Sequence, residues 1–243
     1  MINLGFKEKT VEIFTIEGNK IAIDYQRKFV NRFNEEYETD FNLYSTEIKF
    51  TSSKTMLSQL SEYLQKHSSK FDIITSFKFF SEFYNANYES SQGLFTLFAD
   101  FISNYIEKNG IILILDILNP NTGRTHPYTT QIMSNELNAF LKKDTAKLNY
   151  IIPVCCAKWN SKCRTSHCYI ERKFEVRHTR KINDPSKVCY RVLVDKEFSK
   201  QILATLPNRK QYMITHTNPQ FCEDTIVYRL TENANIADGF KLN

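Results

Sequence analysis

The chain predicts an α/β fold: a doubly wound, mainly parallel sheet with an antiparallel C-terminal edge and an extension. Three observations predict it. Two apolar runs, Phe71-Asp-Ile-Ile-Thr-Ser-Phe77 and Gly110-Ile-Ile-Leu-Ile-Leu-Asp-Ile117, read as buried parallel strands. Segments with a helical period separate the strand-like runs, which calls for right-handed βαβ crossovers. The C-terminal part then turns to alternating runs, at Val188–Val194 and Thr225–Leu230, that suit antiparallel strands.

Val11–Ile16 reads as a short strand ending at Glu17-Gly18-Asn19. The helix that follows carries Ile21, Tyr25, Phe29, Phe33 and Tyr37, an apolar stripe every fourth position. Phe41–Thr46 is a second strand. Ser52 and Ser53 are caps for a helix with Met56, Leu57, Leu60, Tyr63 and Leu64 on one face. After the Phe71–Phe77 strand, Leu94–Ile106 reads as a helix stopped by Asn109-Gly110. Ile111–Leu118 is the most buried-looking strand. The loop from Asn119 to Pro127, a helix near Thr130–Lys142 and a strand at Tyr150–Val154 complete the alternation. A short helix around Phe198–Leu206 and a strand at Gln211–Thr215 lie between the last alternating runs.

At 243 residues, 42% hydrophobic and 14% aromatic, the chain can bury a substantial core, which excludes a disordered polymer. Abundant Lys, Asn, Ile, Tyr and Phe beside scarce Ala and Gly is the composition of an AT-rich genome. No basic segment followed by an apolar stretch opens the sequence, and no apolar run is long enough to span a bilayer. A soluble, cytoplasmic protein without membrane contact is expected, and its six cysteines are then reduced thiols. The net charge of +5 is concentrated: Lys158 to Arg191 hold ten Lys or Arg against three acids, leaving the rest slightly negative.

The order of elements over residues 10–155 resembles the class I S-adenosylmethionine-dependent methyltransferases. In that family the second strand ends in an acid that holds the cofactor ribose, and Ile13-Phe-Thr-Ile-Glu17 is similar. Phe71–Phe77 resembles the family's fourth strand and its polar turn, and Asn109-Gly110-Ile-Ile-Leu-Ile-Leu-Asp116 its fifth. The resemblance implies a Rossmann-like core over residues 1–155, with 156–243 as C-terminal strands and a basic, cysteine-containing extension of the same domain. It also implies S-adenosylmethionine as cofactor, with Glu17 on the ribose and Thr75, Ser76 and Phe77 lining the pocket.

One departure bears on function. The family's first strand leads into a glycine-rich turn where the backbone approaches the cofactor, and only glycine permits that approach without a Cβ clash. Here Leu4-Gly5 is followed by Phe6-Lys7-Glu8-Lys9, too few residues for a crossover helix before the next strand. The expectation is a first strand and loop that are lost or supplied by a protein partner. Thr75-Ser-Phe-Lys-Phe-Phe80 also lacks the proline motif of amino-group methyltransferases acting on nucleic acids. The aromatics Phe77, Phe79, Phe80, Phe83, Tyr84 and Tyr88 read either as a stacking wall for substrate or as a core-packed helical face.

Cys156, Cys163 and Cys168, beside Cys155, His167 and His178, supply soft ligands for zinc or an iron–sulfur cluster, though no CxxC pair is present and isolated buried cysteines explain them as well. Lys158, Arg164, Arg172, Lys173, Arg177, Arg180 and Lys181 form a basic segment of the kind that binds nucleic-acid phosphates, with Trp159, Tyr169 and Phe174 as stacking platforms. A solvated surface is the competing explanation. Arg124, His126 and Tyr128 lie in the loop that faces the ligand in doubly wound sheets. The function expected is a methyltransferase-like protein, degenerate or completed by a partner, acting on or with nucleic acid or within a larger complex. The alternatives are a non-catalytic assembly subunit that uses the basic segment, and a methyltransferase for small substrates.

Overall fold

A computed structural model describes residues 10–67, 70–87, 93–117, 129–152, 172–178 and 181–205. The chain divides into two compact units, with the boundary between Tyr63 and Leu64.

The first unit is built on β1 (Thr10–Glu17), α1 (Lys20–Tyr37) and β2 (Asp40–Glu47). β1 and β2 pair in parallel from Thr10 opposite Asp40 to Glu17 opposite Glu47, and form a two-stranded sheet of their own. Asn19 caps α1 by accepting the Ile21 amide at 2.9 Å. At the other end Asn34 ties the helix to the next strand: its Nδ2 donates to the Phe41 carbonyl and its Oδ1 accepts the Phe41 amide.

The apolar stripe of α1 is not its core face. Tyr25 and Phe29 are each 68% exposed, Ile21 and Tyr37 are exposed as well, and the buried residues are Ile23 and Val30. Geometry explains the difference. Steps of four residues advance about 40° around a helix with 3.6 residues per turn, so a long period-four stripe winds off any one face. Ile23 and Val30 stand two turns apart and stay aligned.

α2 (Ser53–His67) begins with a reciprocal cap, in which Ser52 Oγ accepts the Thr55 amide and Thr55 Oγ1 accepts the Ser52 amide. It buries Met56 and Tyr63, again two turns apart.

The second unit contains β3 (Phe71–Phe77), α3 (Phe79–Asn87), α4 (Leu94–Ile102), β4 (Ile106–Ile117), α5 (Thr129–Leu141), β5 (Leu148–Ile152), β6 (Arg172–His178), β7 (Lys181–Asp195) and α6 (Lys196–Thr205). The sheet order is β3-β4-β7-β5, with β6 paired to β7. β3 and β4 are parallel, while β7 is antiparallel to β4, β5 and β6. The fold is therefore α/β with a small mixed sheet. Of the antiparallel runs expected at the edge, Val188–Val194 lies between β4 and β5, while Gln211–Thr215 and Thr225–Leu230 lie outside the described residues; among the described strands the only parallel ladder in this sheet is β3–β4. β3, β4 and β5 nevertheless run in one direction.

The helix expected to reach Asn109-Gly110 ends at Ile102, and Asn109 and Gly110 lie inside β4. Ser103 Oγ donates to the Asp100 carbonyl and closes the last turn, and the Phe71 amide bonds the Tyr105 carbonyl as the chain enters the sheet. The β3–β4 register jumps from Phe71 opposite Ile106 to Ile73 opposite Ile111, a bulge that contains Gly110. A Cβ on Gly110 would stand 2.9 Å from the Asp72 carbonyl oxygen and 2.7 Å from Ile106 Cδ1. Gly110→Ala is expected to destabilise the protein by about 1–3 kcal/mol through overpacking against backbone. An unchanged urea midpoint would contradict that close approach.

Strand alternation sorts β4 into two faces. Ile112, Ile114 and Asp116 are buried, while Ile111 is partly exposed and Leu113 and Leu115 are half-buried. The buried face meets the aromatic core of α3 and α4, where Phe80 packs on Phe95 at 4.2 Å and edge-on to Phe98, and Tyr84 stacks on Phe95. Phe80, Phe83 and Tyr84 are thus core residues. Phe77 stands apart from them at 58% exposure, and Tyr88 lies outside the described residues. On the opposite face Asn149 of β5 bonds Ser199 of α6. Among the described residues no helix is long and apolar enough to cross a membrane.

Candidate functional site

In open α/β sheets, ligands meet the C-terminal ends of the strands. At that end of β3, alternation divides the residues expected to line a pocket. Thr75 and Phe77 are on the exposed face, whereas Ser76 is buried on the face covered by helices. Lys78 then turns the chain with a left-handed φ of 54°, its amide donating to the Leu115 carbonyl and its Nζ meeting Glu82 at 3.1 Å.

That turn aims the start of α3 at Asp116. The wholly buried carboxylate accepts the Ser81 amide through Oδ2 at 2.9 Å, where the helix dipole favours negative charge. The Ser76 and Ser81 hydroxyls are buried nearby without a hydrogen-bond partner among the described residues. Register puts Ser76, Ile114 and Arg191 in one row across β3, β4 and β7, and Asp116 opposite Cys189 in the next row of the same face. Arg191 is only 1% exposed. Its guanidinium donates to Ser134 Oγ of α5 at 2.7 Å and to the Tyr190 carbonyl at 2.9 Å. These groups fasten helices to the strand ends.

Glu136 of α5 forms a second polar centre. α4 has no capping side chain of its own, since Gly93 precedes it with φ of 78°. Glu136 takes that role: Oε1 accepts the Gly93 amide and the Tyr84 hydroxyl, and Oε2 accepts the Phe95 amide. Burial pushes its carboxyl above the usual 4.5, and the hydrogen bonds from Gly93, Phe95, Tyr84 and Thr96 offset part of the rise.

Glu17 belongs to the first unit, half-buried at the end of β1 opposite Glu47. Its Oε1 accepts the Asn19 amide at 3.0 Å, and Glu47 meets Lys49 at 3.6 Å. The same unit has an apolar groove of about 410 Å³ between its sheet and α1, lined by Ile13, Leu43, Tyr25, Phe29 and Val30. Thr15 edges this groove and bonds Gln26 and Ser45.

Of the basic residues singled out in the sequence, Arg172, Lys173 and Arg177 fall on β6 and Lys181 opens β7. Lys158, Arg164 and Arg180, the cysteines Cys156, Cys163 and Cys168, and Arg124, His126 and Tyr128 lie outside the described residues. Among the described residues no group of three His, Cys, Asp or Glu side chains is gathered for a metal ion. Sequence reasoning missed Glu136, and it counted Arg191 among the cations of the basic segment, whereas its side chain is buried. For Arg191 there was a signal, one cation inside the apolar run Val188–Val194; an acid on a mid-chain helix such as Glu136 carries none. Compared with known proteins, the chain matches no family model and no curated sequence.

Proposed function

We propose that this is a methyltransferase-like α/β protein, degenerate in its cofactor grip or completed by a protein partner, that works with nucleic acid or inside a larger complex. What supports it is the succession of β3, β4 and β5 in one direction with antiparallel β7 set among them, after a β1–α1–β2 unit whose first strand ends in Glu17.

The residues present fit S-adenosylmethionine in part. Glu17 Oε2 has no partner among the described residues and is free to accept from a ribose diol. No counterpart of the glycine cradle is found among them. A Cβ on Gly18 would sit at ordinary contact distance from Ile48 and Lys49, so that glycine is not holding space for a ligand. Bound S-adenosylmethionine supplies an electrophilic methyl group, and no residue of this chain is assigned to its transfer. Open edges favour the partner. Among the described residues β1 pairs only with β2 and β3 only with β4, and an unpaired edge is a template for another strand.

Calorimetry with S-adenosylmethionine tests the proposal. Where heat is seen, Glu17→Ala should weaken binding by about ten- to a hundredfold, the worth of about 1.5–3 kcal/mol for a charge-assisted hydrogen bond. Heat absent from the isolated chain and restored by a co-purifying protein identifies a shared site. Silence in both titrations at millimolar cofactor removes the cofactor from the proposal.

A further inference from the structure

We propose that α1 is the contact face of a homodimer, in which two copies of this helix cross antiparallel along the stripe Tyr25, Phe29, Phe33 and Tyr37. This stands whether or not the chain takes the cofactor or nucleic acid of the function proposed above. Tyr25 and Phe29 are each 68% exposed and Tyr37 is 47% exposed. Phe33 joins them into a continuous ridge, its ring centroid 6.1 Å from Phe29 and 4.6 Å from Tyr37. A step of four residues makes this an i±4 ridge, and ridges of that kind interdigitate with their own kind at a crossing of about 50°. The winding that carries the stripe off the core face thus suits it to a copy of itself.

Charge selects the second copy and sets its direction. From Lys20 to Arg32 the helix holds four cations against the single acid Asp24, and Glu35, Glu36 and Glu38 then follow. This order opposes the helix dipole, which favours acids in the first turn and bases in the last; α1 has neither. A copy running the opposite way lays its basic half beside those acids and relieves the mismatch in both helices. Arg27 meets Asp24 at 3.7 Å and Arg32 meets Glu36 at 4.0 Å, which leaves Lys28 and Glu35 without an ion-pair partner among the described residues. These two stand seven residues apart, on one flank of the helix. With the two-fold axis between Phe29 and Phe33, Lys28 of each copy faces Glu35 of the other, and Tyr25 faces Tyr37.

Tyr25 and Phe29 also wall the groove of about 410 Å³, with Ile13 and Leu43 behind them, so a ring of the second copy finds a recess beside the ridge. An anionic membrane is the poorer occupant, because Glu35, Glu36 and Glu38 on the same segment would be repelled from it.

Sedimentation equilibrium of the full chain tests this. The mass should rise from 28.6 kDa toward twice that value as concentration climbs through the micromolar range expected of a small interface. Phe29→Ser removes the centre of the ridge and should weaken the dimer at least about tenfold. Lys28→Glu and Glu35→Lys each turn two attractive pairs into repulsive ones and should each weaken it about tenfold, while the double variant should restore it. Circular dichroism checks that each variant folds; if Phe29→Ser does not, the charge exchange alone carries the test. A monomer at every concentration, a dimer indifferent to Phe29→Ser in folded form, or a double variant no tighter than the single ones overturns the proposal. A monomer that binds phosphatidylserine vesicles and loses them with Phe29→Ser also overturns it, and gives the stripe to a membrane.

Discussion

Arg191→Ala should lower the free energy of unfolding by about 3–5 kcal/mol, as deleting a buried, bonded side chain both opens a cavity and strands its partners. Arg191 is among the largest fully buried side chains and sits in the strand that joins β4 to β5. Its loss removes the charged donor that the Ser134 hydroxyl accepts from inside the α5 interface, and a buried hydrogen bond to a charged group is worth about 1.5–3 kcal/mol. Arg191→Met keeps much of the volume without the charge and should recover part of the loss. Urea denaturation followed by circular dichroism measures both. If Arg191→Ala shifts the midpoint no more than a surface substitution would, the guanidinium is not what fastens α5 to β7.

Glu136→Ala should cost about 2–4 kcal/mol, because three donors lose their acceptor at once and two are amides at the start of α4. The acid also leaves a signature in pH. Burial lifts its folded-state value above 4.5, so the folded chain still holds the proton where the unfolded chain has released it. Its contribution to stability is complete below 4.5 and is lost as pH rises through the raised value. Glu136→Gln is neutral throughout and should flatten that segment of the stability–pH curve. A slope identical to that of the unsubstituted protein would assign it to other groups.

Strand identity was largely legible in the residues. Phe71–Phe77 was bounded to the residue, and β1, α1, β2 and α5 within one or two, because hydrophobic period and polar punctuation coincide there. Asn109-Gly110 misled because a helix stop and a strand bulge call for the same residue types. What separates them is the approach of Asp72, a residue distant in sequence. The period-four stripe of α1 named the right helix and the wrong face. Strand order could not be read locally, since nothing in Lys181–Asp195 states that it inserts between β4 and β5. Glu17 and Phe77 were named by likeness to a family rather than by anything in their own surroundings. Asp116, Glu136 and Arg191 owe their roles to partners on other elements, a kind of information that no local window contains.

The place of β7 also sets an order on synthesis. A ribosome delivers β3, β4 and β5 well before β7, tens of residues earlier in the case of β4. Until Asp195 has emerged, among the described strands β4 offers one bare edge and β5 has no ladder. Nascent chains of this protein therefore pass through an interval in which two strands await a third, with Ile112 and Ile114 uncovered on their β7 side. Closing so long a loop is slow, and unpaired edges in that interval invite association with other chains. Dependence on chaperones should be concentrated in that window and end when β7 slides in.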